Sequence, residues 1–382
     1  MPDRYADIRP YQDDEVAAVL ERVSQSDTLH RALLKYRLPM LPHWLREWLL
    51  PVARYLLDRQ LANVNTVHDF QMWMEGWVER LLAKTTTDVV VRGLDSMPPD
   101  QGHLWISNHR DIAMDPTLIN YSLYQAGWPT SRIAIGDNLL SHPDIADVMR
   151  LNKSFIVRRN ITNKREKLTA LQQLSGYIRY SLAQRESVWI AQREGRAKNG
   201  VDLTDKAVLK MLALNGREHK ETFAETLSAL RPVPVCIQYE WDPCDLMKAR
   251  ELVARAKYGS YSKEEGEDTR SLLTGIVGQK GTIHVDFGQP LSDDDLASAE
   301  TMAAAIDRQI RDMTEILPVH HAAVRLLQQR FSCYLQARAG DSSRQIQDTL
   351  WQRIEGEAQD VQKQVLTGYA MPILLQQNMA DG

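Results

Sequence analysis

The chain has 382 residues, of which 43% are hydrophobic and 25% charged, and its formal net charge is −4. That balance suits one large globular domain with additions at its ends, and it excludes both wholesale disorder and a protein that coats nucleic acid by bulk charge. Cys236, Cys244 and Cys333 show no C-x-x-C spacing, which argues against a disulfide framework or a zinc cage and suits a reducing cytoplasm. The acidic start, Met1-Pro2-Asp3-Arg4-Tyr5, has no apolar h-region, and no run of about 18 apolar residues occurs. The expectation is a cytoplasmic protein without signal peptide or spanning helix, soluble or peripheral on the inner face of a membrane.

Residues 1–84 read as a helical N-terminal region, with apolar positions at helical spacing in Val16–Val23, Leu29–Tyr36, Trp44–Leu61 and Phe70–Leu82. Pro51 kinks or restarts the third of these. Trp44, Leu45, Trp48, Leu49, Val52 and Leu56 share one face, which either packs on its own domain, the commoner arrangement, or lies in a membrane interface. From residue 85 to 292 short β-rich runs alternate with helical ones. The runs are Asp88–Arg92, His103–Ser107, Arg132–Ile135, Ser154–Arg158, Val188–Gln192, Val233–Tyr239 and Thr282–Phe287. The alternation predicts an α/β fold, a mostly parallel sheet of about seven strands covered by helices, with its chemistry in loops at the carboxyl ends of strands. Residues 293–382 read as a helical C-terminal region: Asp294–Ile316, Val319–Ala337 and Ser343–Tyr369.

Four blocks sit at strand positions where chemistry would gather. The first, Ser107-Asn108-His109-Arg110-Asp111-Ile112-Ala113-Met114-Asp115-Pro116, sets a histidine at a strand end with two carboxylates close behind. A neutral imidazole there can take a proton from a hydroxyl while a carboxylate on its other nitrogen fixes the tautomer. Asp115 before Pro116 is equally a good helix N-cap. The second block, Asn152-Lys153-Ser154-Phe155-Ile156-Val157-Arg158-Arg159, ends in a pair of guanidinium forks suited to phosphate, or simply in surface charges. It lies in a stretch, Arg150 to Leu168, with seven basic residues against one acid. The third, Trp189-Ile190-Ala191-Gln192-Arg193-Glu194-Gly195-Arg196-Ala197-Lys198, offers a carboxylate, a flexible backbone position and an anion-holding arginine, or simply a charged turn. The fourth, Arg231-Pro232-Val233-Pro234-Val235-Cys236-Ile237, would shape a pocket rather than react.

In this order the blocks resemble the four motifs of the glycerophospholipid acyltransferases, the family that includes lysophosphatidic acid acyltransferase. Gly281 to Pro290 resembles the strand and turn that often follow. Two departures stand out. Five residues separate His109 from Asp115 where the family has four, and Arg193 replaces the family's proline while a threonine position is missing. The resemblance implies that His109 deprotonates an acceptor hydroxyl with Asp115 as its partner, since a helix follows it, or else Asp111. It also implies substrate contacts from Asn108, Arg158, Glu194, Gly195, Arg196 and Pro234. The acyl donor would be acyl-CoA or acyl-carrier protein, with no metal or cofactor. The acceptor would be a lysophospholipid or glycerol phosphate, foremost 1-acylglycerol 3-phosphate, met at a membrane surface. A lipid-binding protein without turnover is the alternative outside enzymology.

Overall fold

Among the described residues five α-helices precede the first strand: α1 (Val16–Ser24), α2 (Asp27–Arg37), α3 (His43–Trp48), α4 (Leu50–Leu61) and α5 (Val67–Thr85). They belong to a computed structural model that describes residues 3–38, 40–140, 143–331, 340 and 342–380. Cys333 and the end of the helix expected over Val319–Ala337 lie outside the described residues. The expected Trp44–Leu61 helix is two helices, with the chain restarting at Leu49–Leu50 and Pro51 in the first turn of α4, where its missing N–H costs nothing. A capping box starts α5, the Thr66 hydroxyl accepting the Asp69 N–H while the Asp69 carboxylate accepts that of Thr66.

Seven strands follow: β1 (Thr86–Arg92), β2 (Leu104–Ser107), β3 (Arg132–Gly136), β4 (Ser154–Val157), β5 (Val188–Ala191), β6 (Pro232–Tyr239) and β7 (Gly281–Phe287). They form one sheet in the order β1-β7-β6-β2-β5-β3-β4. The five from β6 to β4 are mutually parallel, so β2, β3, β4 and β5 all end on one edge. The sheet is mostly parallel with one reversal, because β7 runs antiparallel to β6 and carries β1 with it. Among the described residues eight α-helices lie between the strands: α6 (Met114–Gln125), α7 (Pro143–Leu151), α8 (Lys164–Ala183), α9 (Lys206–Leu212), α10 (Gly216–His219), α11 (Phe223–Leu230), α12 (Asp245–Tyr258) and α13 (Glu267–Val277).

Strand alternation builds two cores. Leu104 and Ile106 of β2 face one side with Val188 and Ile190, while Trp105 and Trp189 face the other. The C-terminal helices are α14 (Ala299–Met313), α15 (Pro318–Phe331), α16 (Arg344–Ile354) and α17 (Gln359–Ala380). Of these α14 belongs to the sheet, since Met302, Ile306 and Ile310 pack in the Leu104 core. The other three gather a separate core around Val319, Leu327, Leu366 and Ala249 of α12. At the opposite end of the chain, residues 3–11 lie along the β4 edge. Ile8 is buried in the main core, and its carbonyl accepts the Ile156 N–H at 2.9 Å.

Candidate active site

The site is assembled where β2 ends. Asn108 continues the strand with its side chain: Oδ1 accepts the Ile237 N–H at 2.8 Å and Nδ2 donates to the Ile237 carbonyl at 3.0 Å. This imitates one more rung of the β2–β6 ladder and fixes where the next residue emerges. That residue is His109, whose Nδ1 lies 2.9 Å from Asp115 Oδ2. A carboxylate oxygen accepts, so Nδ1 carries the hydrogen and Nε2 keeps its lone pair. The imidazole meets Trp189 edge-on, centroids 6.1 Å apart, and the indole is itself held by donating to Ser107 Oγ.

Asp115 has no solvent exposure and four donors. Oδ2 accepts from the backbone N–H of Arg110 at 2.7 Å and of Asp111 at 2.9 Å besides His109, and Oδ1 accepts the Tyr239 hydroxyl at 2.7 Å. The turn from His109 to Asp111 therefore wraps around the carboxylate, which accommodates the extra residue of spacing. Burial, and then the Asp115 charge, push the Tyr239 hydroxyl well above its ordinary range and keep it a donor.

Asp111 does different work. Its Oδ1 accepts the N–H groups of Ala113 and Met114 and so satisfies the first donors of α6. The N-cap expected of Asp115 is thereby corrected, because α6 begins at Met114 and Asp115 lies inside its first turn. Burial, with Asp115 beside it, raises the Asp111 carboxyl above the usual range.

His109 opens on a groove at the carboxyl edge of the sheet that also holds Arg158, Arg159, Glu194, Gly195 and Arg196. Its apolar wall comes from Ile112, Ile135, Leu171, Leu174, Val208 and Met211. Two candidate residues have structural occupations instead. Asn108 is committed to β6, as above. Pro234 is buried in β6 where β7 has run out, its carbonyl accepting from the Gly288 N–H, and it does not line the groove. Gly195 lines the groove, but its φ of +75° with open space beyond shows a turn requirement rather than a close approach. Arg158 pairs with Asp7 at 2.5 Å, and Arg196 donates to Ser271 Oγ at 2.8 Å. Arg159 reaches Glu194 at 3.8 Å. Sequence reasoning left Tyr239 out, and its only signal was its place at the end of a buried strand.

The class defined so far is an open α/β sheet with a histidine backed by a buried aspartate at a strand's carboxyl end, facing a groove both cationic and apolar. Residues 88–235, which hold His109, Asp115, Arg158 and Glu194–Arg196, match the family model described as Acyltransferase. The matched segment contains the first three strand-end blocks whole and the fourth as far as Val235. No curated protein matches it. Among solved structures it is similar to the 1-acyl-sn-glycerophosphate (LPA) acyltransferase PlsC from Thermotoga maritima, at 13% identity and a TM-score of 0.40 over 78% of this chain and 93% of that one.

Proposed function

We propose that this protein moves a fatty acyl group from acyl-CoA or acyl-carrier protein to the hydroxyl of a glycerolipid, foremost 1-acylglycerol 3-phosphate. The observation that carries the reading is the 2.9 Å bond from His109 Nδ1 to a carboxylate held by three further donors, in a residue that lines the groove. His109 Nε2 takes the proton of the acceptor hydroxyl, and the oxygen attacks the thioester carbonyl carbon. The Asp115 carboxylate steadies the imidazolium that forms. The tetrahedral intermediate collapses with cleavage of the C–S bond, and the sulfur leaves as a free thiol with the proton that His109 returns. The arginines of the groove would hold a phosphate and its apolar wall an acyl chain.

A second acceptor class has one observation in its favour. Asp7 already neutralises Arg158, which suits a lysolipid without a terminal phosphate. Release of thiol from acyl-CoA and acyl-carrier protein decides among 1-acylglycerol 3-phosphate, glycerol 3-phosphate and unphosphorylated lysolipids. Acceptor-independent or absent release would leave a lipid-binding protein without turnover.

An acyl chain in the acceptor requires contact with lipid, and among the described residues no helix is long and apolar enough to cross a membrane. The surface proposed to meet the bilayer is the α3–α4 face. Trp44 and Trp48 are 71% and 75% exposed, with Val52 and Leu56 half exposed behind them.

A further inference from the structure

Arg110, beside the histidine, turns away from the groove into a small cavity between the sheet domain and the C-terminal helices, where His320 of α15 and Tyr369 of α17 form part of the wall. Three of its groups are tied to three different parts of the chain. Its N–H donates to Asp115. Its carbonyl accepts from Lys248 Nζ of α12 at 2.7 Å. Its guanidinium pairs with Asp202 at 2.6 Å. Asp202 belongs to the loop after β5, which begins at the groove and whose Ala197 N–H donates to the His109 carbonyl at 2.9 Å.

The links continue into the C-terminal helices. Lys248 also holds the Asp242 carboxylate, and the Asp242 N–H donates to the Tyr369 hydroxyl at 2.9 Å. Burial pushes the Asp242 carboxyl up, but the Lys248 ammonium outweighs it and leaves it below the ordinary value. On the loop side Gly200, at φ +81°, lies so close to α17 that a Cβ there would come within 2.5 Å of the Gly368 carbonyl. His320 accepts the Leu317 N–H, and burial followed by the Arg110 charge pushes it down to about 3, so it faces the guanidinium as a neutral ring.

We propose that Arg110 is a positioning residue that locks the His109–Asp115 turn to the Asp202 loop and, through Lys248 and Asp242, to Tyr369 of α17. The side chain touches no reacting atom. It holds the turn whose two N–H groups fix the Asp115 carboxylate. An arginine suits the place because its charge is permanent and its planar fork fixes direction as well as attraction. The C-terminal helices thereby become part of the catalytic frame. This rests on the proposed role of His109, and its test includes a readout that needs no turnover.

Arg110→Ala and Asp202→Asn should each lower kcat about 10- to 100-fold with KM within about threefold, since small misplacements of a base cost rate rather than binding. The double variant should lose little more than either single one, and Arg110→Lys should recover part of the loss. Tyr369→Phe, at the far end, should lower kcat in the same sense by a smaller factor. The Nδ1–H proton of His109, assigned in NMR spectra by its disappearance in His109→Ala, should shift or vanish in Arg110→Ala while the melting temperature shows a folded protein. An unmoved resonance in folded Arg110→Ala, or losses that multiply in the double variant, would overturn the proposal. A wild-type protein that transfers no acyl group but loses the resonance in Arg110→Ala would refute the enzymatic reading and leave the positioning role standing.

Discussion

Asp111 and Asp115 stand in one turn and compete on paper for the same histidine, yet their environments separate them. Asp115 collects four donors, one of them His109, whereas Asp111 spends its oxygen on two backbone N–H groups of α6. Asp115→Asn should therefore cost about two to four orders of magnitude in kcat, comparable to His109→Ala. Asp111→Asn keeps a cap oxygen and should cost less than about tenfold. Kinetics beside melting curves check this, and a larger loss at Asp111 would reverse the assignment. The histidine and its choice of carboxylates were legible because strand-end position and residue type are local. Tyr239 was not, because a hydroxyl 124 positions away leaves no local pattern. Nor did the sequence reveal that Asn108 serves as a rung of the sheet.

At the scale of elements, the N-terminal segment and α3–α4 carry two further tests. Asp7, on the segment beside β4, occupies Arg158. An exposed ion pair is worth at most about 1 kcal/mol, roughly a fivefold competition. Asp7→Asn should lower KM for a phosphorylated acceptor by about two- to fivefold, while Arg158→Ala should raise it about tenfold. Equal changes on an unphosphorylated acceptor would make the pair structural. On α4 the buried residues Ala53, Leu57 and Leu61 do the packing, leaving Val52 and Leu56 outside together with Trp44 and Trp48 of α3. The commoner expectation, that the tryptophan stripe packs inward, is thus not met. Trp44→Gln with Trp48→Gln should reduce sedimentation with anionic vesicles several-fold and spare activity on a soluble short-chain acceptor. Undiminished sedimentation would remove this face from the membrane. Element by element, the seven strands were legible to within two residues at each end, since β-branched runs bounded by polar turns are strong local signals. Local pattern marks α13 weakly: its Glu267–Val277 segment contains Thr274 and Gly275, which favour helix poorly.

At the scale of the whole molecule, stability should depend on a lysine. Lys280 has no solvent exposure, and its Nζ donates to the Ile276 and Gly278 carbonyls at the end of α13. Burial pushes it down to about 8 from an ordinary 10.5. Below pH 8 both folded and unfolded chains hold the proton, and the folded state bears the cost of a buried charge. As pH rises from 8 towards 10.5 the folded state releases the proton first, so this group's contribution to stability increases, by up to about 1.4 kcal/mol per pH unit. Urea denaturation from pH 7.5 to 9.5 should show wild type gaining on Lys280→Met, and parallel curves would refute the shift. The reversal between β6 and β7 belongs to this scale as well, and local patterns were silent on it. Strand direction is set by how the long β6–β7 connection through α12 and α13 returns, not by the strands' own residues.

That reversal also governs the order in which the chain can come together as it is made. β1 lies at the sheet edge and pairs with β7, Val89 opposite Ile283, about 190 residues later. A ribosome adding about 5–20 residues per second needs roughly ten to forty seconds to cover that distance. For that interval Val89-Val90-Val91 is a nascent strand with no partner, free to pair with a neighbouring chain. Asp88 and Arg92, charged residues on either side of the valines, stand where gatekeepers against such premature pairing belong.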